Sequence, residues 1–200
     1  MVHPRIKLSY FDGKGRAELA RMLFNYGGVA FEDCRIARPD FAAMKPTLPF
    51  KQVPLLEVDG TVYAQSLAIY FYAAKLSGLF PNDPVEALKV DMFSQALIEV
   101  ENPFIEFMFK TSDEAKKAEL KKVFLEETVP KIFTTLDKLV GGKFVLGDKI
   151  SYVDLQLFDI VDNKIKWASP DFALDAYPAL AAVVGNVKAD PKVAAYLAKQ

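Results

Sequence analysis

The hydrophobic pattern of this chain changes character once, near residue 80, and that change constrains the fold more than any single residue does. Before it, short runs with a two-residue period alternate with runs of helical period. After residue 84 every patterned stretch is helical. A chain of 200 residues divided in this way is expected to form two domains: an α/β domain over residues 1–80 and an all-α domain over residues 84–200. The segment Ser77 to Pro84, SGLFPNDP, has the glycine and prolines of a linker.

In the first domain, Arg5 to Tyr10 alternates polar and apolar residues as a strand does and stops at Phe11-Asp12-Gly13. Gly15 to Asn25 spaces Leu19, Met22 and Leu23 as a helix, ended by Gly27-Gly28. Phe31 to Ile36 reads as a second strand, and residues 37–53, with three prolines, as a partly helical connection. Leu55 to Val58 and Thr61 to Ala64 flank Asp59-Gly60, the signature of a hairpin, and Gln65 to Lys75 follows as a helix. The order is β-α-β, then β-β-α. In the second domain, Asp83 and Pro84 start a helix reaching about Phe109, and Ser112 or Asp113 starts another reaching Val140. Ser151 and Asp154 have capping-box spacing behind the apolar Ile150, and further helices begin near Tyr177-Pro178 and Asp190-Pro191.

Scarce residues narrow the chemistry. One cysteine, Cys34, allows no internal disulfide and no thiolate metal cluster. One histidine, His3, excludes a multi-histidine metal site and would force any triad to use a chain terminus. With 25 basic and 26 acidic residues there is no excess of positive charge for nucleic-acid phosphates. Leu67 to Ala74, the longest near-continuous apolar stretch, is far short of the ~20 residues that cross a bilayer. The opening MVHPRIKLSY has no signal-peptide apolar region, so a cytoplasmic protein is expected. Catalysis must then rest on tyrosine, serine, carboxylates, lysine, arginine, backbone groups, or a reactive group carried by the substrate. Cys34 reads as a small core residue, His3 as a surface residue and Trp167 as packing. The lysines at 116, 117, 121 and 122 read as a solvated helix face.

Three features of the first domain converge. Tyr10 ends a strand just before Arg16 opens a helix, so a phenol could donate a hydrogen bond beside a guanidinium. Spacing alone favours the plainer reading, a half-buried strand aromatic. In Gln52-Val53-Pro54, a cis bond would turn the Val53 N–H and C=O toward an extended, peptide-like ligand. The base rate of X-Pro bonds favours trans. Gln65-Ser66 stands at a helix N-terminus, which favours a carboxylate or phosphate, although either residue can simply cap the helix.

Together, LSYFDGKGRAE, FAAMKPTLPFKQVPLLEVDG and AQSLAIYFYAAK resemble the glutathione transferases, and among them the sigma class. The resemblance runs nearly the whole chain and implies a thioredoxin-like first domain and a helical second one, with ISYVDL as the helix-starting capping motif. It implies that Tyr10 hydrogen-bonds the sulfur of reduced glutathione, with Arg16 assisting. Phe41, Lys45, Gln52, the Val53 backbone before Pro54, Gln65 and Ser66 would bind the tripeptide. Phe41 stands where this class usually has tryptophan, so an indole contact to the glycyl end is lost. Glu99 matches an acid that reaches the neighbouring subunit's glutathione site, and Phe50 an aromatic inserted into a partner subunit. Phe11, Asp12 and Gly13, with Phe104, Phe107 and Met108, would line a cleft for a hydrophobic electrophile, although an aromatic stripe at helical spacing more often serves the core. The implied protein is a cytosolic homodimer that uses glutathione as cosubstrate and has no prosthetic group, metal, nucleic acid or membrane partner. The rivals are a glutathione-dependent prostaglandin D synthase-type isomerase, a non-enzymatic crystallin-like protein on the same fold, and a thiol-disulfide oxidoreductase using Cys34. The absence of a Cys-x-x-Cys pair argues against the last.

Overall fold

The computed structural model describes residues 4–199, so the surface placement expected for His3 lies outside the described residues. One unit takes the chain to Phe80 together with the residues from Ala195 on; the other is Pro81–Ala194. The helical stretch expected to run from residue 84 to the end therefore gives its last residues to the first unit. There the Tyr196 hydroxyl donates to the Oε1 of buried Glu18 at 2.9 Å.

The first unit is built on β1 (Ile6–Phe11), whose Ile6 and Leu8 turn inward. β2 (Glu32–Ile36) runs parallel to it. Parallel neighbours cannot be joined by a tight turn, and α1 (Glu18–Tyr26) supplies the crossover. On the other side, β3 (Leu55–Val58) runs antiparallel to β1 and continues into β4 (Thr61–Ala64), giving the order β2-β1-β3-β4. Asp59 and Gly60 both have positive φ, 49° and 84°, as a two-residue turn matching the twist of a hairpin requires. α1 and α3 (Ser66–Leu76) pack together. They bury Leu19, Met22, Leu23 and Phe24 from one helix and Ile69, Tyr70, Ala73 and Ala74 from the other. Each large apolar side chain so placed contributes about 1.5–3 kcal/mol. The proline-rich connection holds α2 (Arg38–Met44) and two single-turn 3-10 segments, Lys45–Thr47 and Pro49–Lys51. Cys34, expected in the core, is half-buried, because β2 is an edge strand of the sheet.

In the second unit α4 spans Pro84–Ile105, and the Asp83 carboxylate accepts from the N–H groups of Val85 and Glu86 at 3.0 and 2.9 Å. Pro103 removes one donor from its ladder, and the helix continues as a wider π turn over Glu106–Lys110. The helix expected from Asp113 to Val140 forms as α5 (Glu114–Val123), a π turn over Phe124–Thr128, and α6 (Val129–Asp137). α7 (Tyr152–Ile160) is buried along its whole length, the mark of a central helix. It leads through a third π turn, Val161–Ile165, into the short α8 (Lys166–Ala168). α9 (Pro178–Ala189) and α10 (Pro191–Leu197) follow. Among the described residues, no helix is long and apolar enough to cross a membrane.

The start of α7 is fixed by Asp154. Its carboxylate accepts from the Ser151 N–H at 2.7 Å, the Ser151 hydroxyl at 2.8 Å and the Val145 N–H at 2.8 Å. Burial pushes its pKa up, against the hydrogen bonds that favour the charged form. Removing the acceptor strands two buried N–H groups and a hydroxyl, so Asp154→Ala is expected to cost about 3 kcal/mol in denaturant unfolding. A loss under about 1 kcal/mol would contradict this role.

Candidate functional site

Strand register gathers the candidate residues. Ser9 pairs with Leu55, and Leu55 with Ala64, so these three form one row across β1, β3 and β4. β1 runs out of that row into Tyr10, β3 runs into it from Val53-Pro54, and β4 leaves it for Gln65. A strand aromatic, a proline after a loop and a helix start, separated by up to 55 positions in sequence, thus meet at one end of one sheet.

Tyr10 is half-buried, and its hydroxyl oxygen accepts from the Arg16 N–H at 3.3 Å. The structure therefore brings Arg16 to Tyr10 through its main chain. The turn that carries this amide is held on other sides too. The Tyr70 hydroxyl donates to the Arg16 carbonyl at 2.7 Å, and Arg21 Nη1 donates to the carbonyls of Gly13 and Lys14 at 2.7 and 3.4 Å. The Arg21 guanidinium is buried, lies 6.0 Å from the centre of the Tyr10 ring, and is balanced by Asp33 and Glu18.

The Val53–Pro54 bond is cis, the alternative that base rates disfavoured, and Val53 lies outside the ladder, which begins at Leu55. Gln65 has φ 75°, ψ 111°, a conformation costly for a residue with a side chain, of order 1–3 kcal/mol. Its side chain makes no capping hydrogen bond, so the first N–H groups of α3, beside half-buried Ser66, are not covered by it. Phe41 of α2 packs edge-on against Phe11 at 5.0 Å, with Lys45 Nζ 5.9 Å from its ring centre. Gln52 is extended and exposed, and Phe50, also exposed, has φ 53°.

In the helical unit, Phe104 and Phe107 lie inside the core, 2% and 0% exposed, in a cluster with Phe124. Their three-residue spacing puts them on the inner face of the helix. Met108 is half-buried and Glu99 is exposed. Trp167, expected to be packing, is more than half exposed and stacks on exposed Phe109 at 6.0 Å and 11°. No group of three or more histidine, cysteine or carboxylate side chains suited to a metal ion occurs among the described residues.

Family profiles match both halves of the chain: "Glutathione S-transferase, N-terminal domain" over residues 6–75 and "Glutathione S-transferase, C-terminal domain" over residues 98–200. The chain belongs to the glutathione S-transferase family. Glutathione S-transferase 1 of Ascaris suum is 36% identical, covering 98% of this chain and 97% of that protein. Hematopoietic prostaglandin D synthase of Gallus gallus is 35% identical, with the same coverage of each. Among solved structures, prostaglandin synthase D of Nilaparvata lugens superposes with a TM-score of 0.89 at 33% identity, covering 98% of both chains.

Sequence reasoning passed over three residues that shape the Tyr10 region of this glutathione S-transferase: Gly15, Arg21 and Tyr70. A glycine between two basic residues, just where a helix is about to start, was the available signal for the first. Arg21 and Tyr70 lie within the apolar runs of α1 and α3 and carry no pattern that sets them apart.

Proposed function

We propose that the protein is a sigma-class-like glutathione transferase that binds reduced glutathione at the sheet end marked by Tyr10, Val53 and Gln65, and conjugates its thiolate to small hydrophobic electrophiles. The observation that carries this reading is the shared row Ser9–Leu55–Ala64. From β1 to β4 is two strand spacings, about 10 Å, and a tripeptide extended at about 3.3–3.6 Å per residue has the same reach. In this reading the γ-glutamyl carboxylate meets Ser66 and the first N–H groups of α3. The Val53 backbone pairs with the cysteinyl unit, and Phe41, Lys45 and Gln52 face the glycyl end.

The chemistry follows from proton affinity. A thiol with pKa near 8.5 is only about 3% ionised at pH 7. Lowering that value by about two units requires about 2.7 kcal/mol of preferential stabilisation of the anion. A charge-assisted hydrogen bond from a phenol is worth roughly 1.5–3 kcal/mol, which is enough. The Tyr10 oxygen accepts from the Arg16 amide while its own proton serves as donor, so the phenol stabilises thiolate rather than removing a proton as a base. The thiolate attacks the electrophilic carbon, and the leaving group departs with its electron pair. Within the first unit, Phe11, in ring contact with Tyr10, and Gly13 of the turn that follows are the positions we assign to the acceptor.

A second reading, a glutathione-dependent isomerase, is favoured by the 35% identity to hematopoietic prostaglandin D synthase of Gallus gallus. It uses the same thiolate without net consumption of glutathione. Steady-state assay with an aryl halide, a hydroperoxide, an enal and a prostaglandin endoperoxide separates the two: conjugate formation supports the first, isomerised product with glutathione unchanged the second. No turnover with any of them would contradict both.

The partner we propose is a second copy of the chain. Val85, Leu88 and Met92, at helical spacing on α4, leave an apolar stripe 73%, 69% and 51% exposed, more than an isolated surface helix usually shows. Glu99 of the same helix, also exposed, would then reach the partner's glutathione. Leu88→Asp is expected to convert a dimer into a monomer in analytical ultracentrifugation. An unchanged dimer would move the interface elsewhere.

A further inference from the structure

We infer that Gly15 is a positioning residue for Tyr10: the space left by its missing side chain is the seat that holds the phenol against the Arg16 amide. A Cβ added at Gly15 would stand 2.5 Å from the Tyr10 hydroxyl oxygen, 2.8 Å from Cε1 and 3.0 Å from Cζ, inside any tolerable contact. The φ of Gly15 is +42°, which further disfavours a side chain there. The neighbouring atoms belong to the far end of a side chain, so the cheapest relief is movement of the phenol and not collapse of the backbone.

The backbone around Gly15 is pinned so that it cannot follow. Arg21 holds the carbonyls of Gly13 and Lys14 before it, and Tyr70 holds the carbonyl of Arg16 after it. The Arg16 N–H points back at the Tyr10 oxygen at 3.3 Å. Gly15 therefore sets both how closely the ring approaches and where its hydroxyl lies. A misplacement of about 1 Å of a group that must meet a reacting atom can cost about a hundredfold in rate.

The inference rests on the proposed role of Tyr10 toward a glutathione thiolate, and the test separates the two. Gly15→Ala and Gly28→Ala are compared; Gly28 also has positive φ, +64°, but open space around its added Cβ. Both variants carry a backbone penalty, and only the first disturbs the phenol. Gly15→Ala is expected to shift the thiolate absorbance titration of bound glutathione upward by about one pH unit and so to lose about threefold in kcat/KM at pH 7. Gly28→Ala should leave that titration where it is. Because the effect passes through the phenol, adding Gly15→Ala to Tyr10→Phe should move the titration no further. An unchanged titration in Gly15→Ala, or an additional shift in the double variant, overturns the inference while leaving the role of Tyr10 intact. An unchanged titration in Tyr10→Phe alone overturns that role and this inference with it. If Gly15→Ala does not fold, the contact is tested in the Tyr10→Ala background. There Gly15→Ala should be no more destabilising than Gly28→Ala, and a larger loss overturns the inference.

Discussion

Tyr10→Phe is expected to keep glutathione affinity within a few-fold while lowering kcat/KM at pH 7 by about twenty-fivefold. The reasoning separates binding from activation. The groups assigned to the tripeptide, at Val53, Gln65, Ser66, Phe41 and Lys45, are untouched by loss of one hydroxyl. What disappears is the donor that lowers the thiol's pKa by about two units, and without it the anionic fraction at pH 7 falls from about three-quarters to about 3%. The deficit should shrink as pH rises, because an alkaline medium ionises the thiol without help. A Tyr10→Phe enzyme of undiminished kcat/KM at pH 7 would remove Tyr10 from the chemistry; a large rise in KM with kcat preserved would make it a binding group instead. The Arg16 amide, which the Tyr10 oxygen accepts from, would lose that partner in the variant, so a small loss of stability is expected alongside.

The largest expected effect on stability lies in the helical unit. Lys164, in the π turn after α7, is buried with its Nζ paired to Asp159 of α7 and, at 3.3 Å, to Glu101 of α4. Asn163 donates to the other oxygen of Asp159 at 2.8 Å. Burial works against the lysine's charge, but the two facing carboxylates outweigh it and hold its pKa above the ordinary value; burial raises that of Asp159. Lys164→Met leaves two carboxylates without their cation in an apolar interior, which should cost about 3–5 kcal/mol at pH 7, equivalent to a fall in Tm of about 10 °C. The sign of the pH dependence follows from the raised carboxylate pKa. Below the unfolded value of about 4 both states bind the protons, and the penalty is small. As pH rises, the unfolded chain ionises while buried Asp159 resists, so the loss grows by up to about 1.4 kcal/mol per unit. A variant equally destabilised at pH 4 and pH 7 would show that packing, not charge, is what Lys164 supplies.

The elements legible in the sequence are those whose signals are local. The hairpin around Asp59-Gly60 has the strand limits read from alternation, because two left-handed residues are needed there and the sequence places a favourable pair. Asp83, Asp113 and Ser151–Asp154 start their helices as read, since a capping carboxylate serves N–H groups within a few residues of itself. Tyr10, Val53-Pro54 and Gln65-Ser66 stand out in the sequence as candidates, yet their meeting at one sheet end depends on register between strands, and no single segment encodes that. Other features lay out of reach. The π turns shift hydrogen bonds by one residue without changing the apolar pattern, so the helix read from Asp113 to Val140 gave no hint of its π turn. Tyr196 joins Glu18 across 178 positions, and a helix near the chain end carries no mark of which unit its last turn will serve. Trp167 packs against Phe104 and Phe109 as expected yet stays more than half exposed, because Phe109 is itself at the surface.

The most direct measurement is a pH titration of the ultraviolet absorbance of thiolate in glutathione bound at saturation to the wild-type protein. The account predicts a midpoint about two units below that of the free thiol, near 6.5, so that most bound sulfur is anionic at pH 7. A midpoint that stays near 8.5 with the site fully occupied would contradict it.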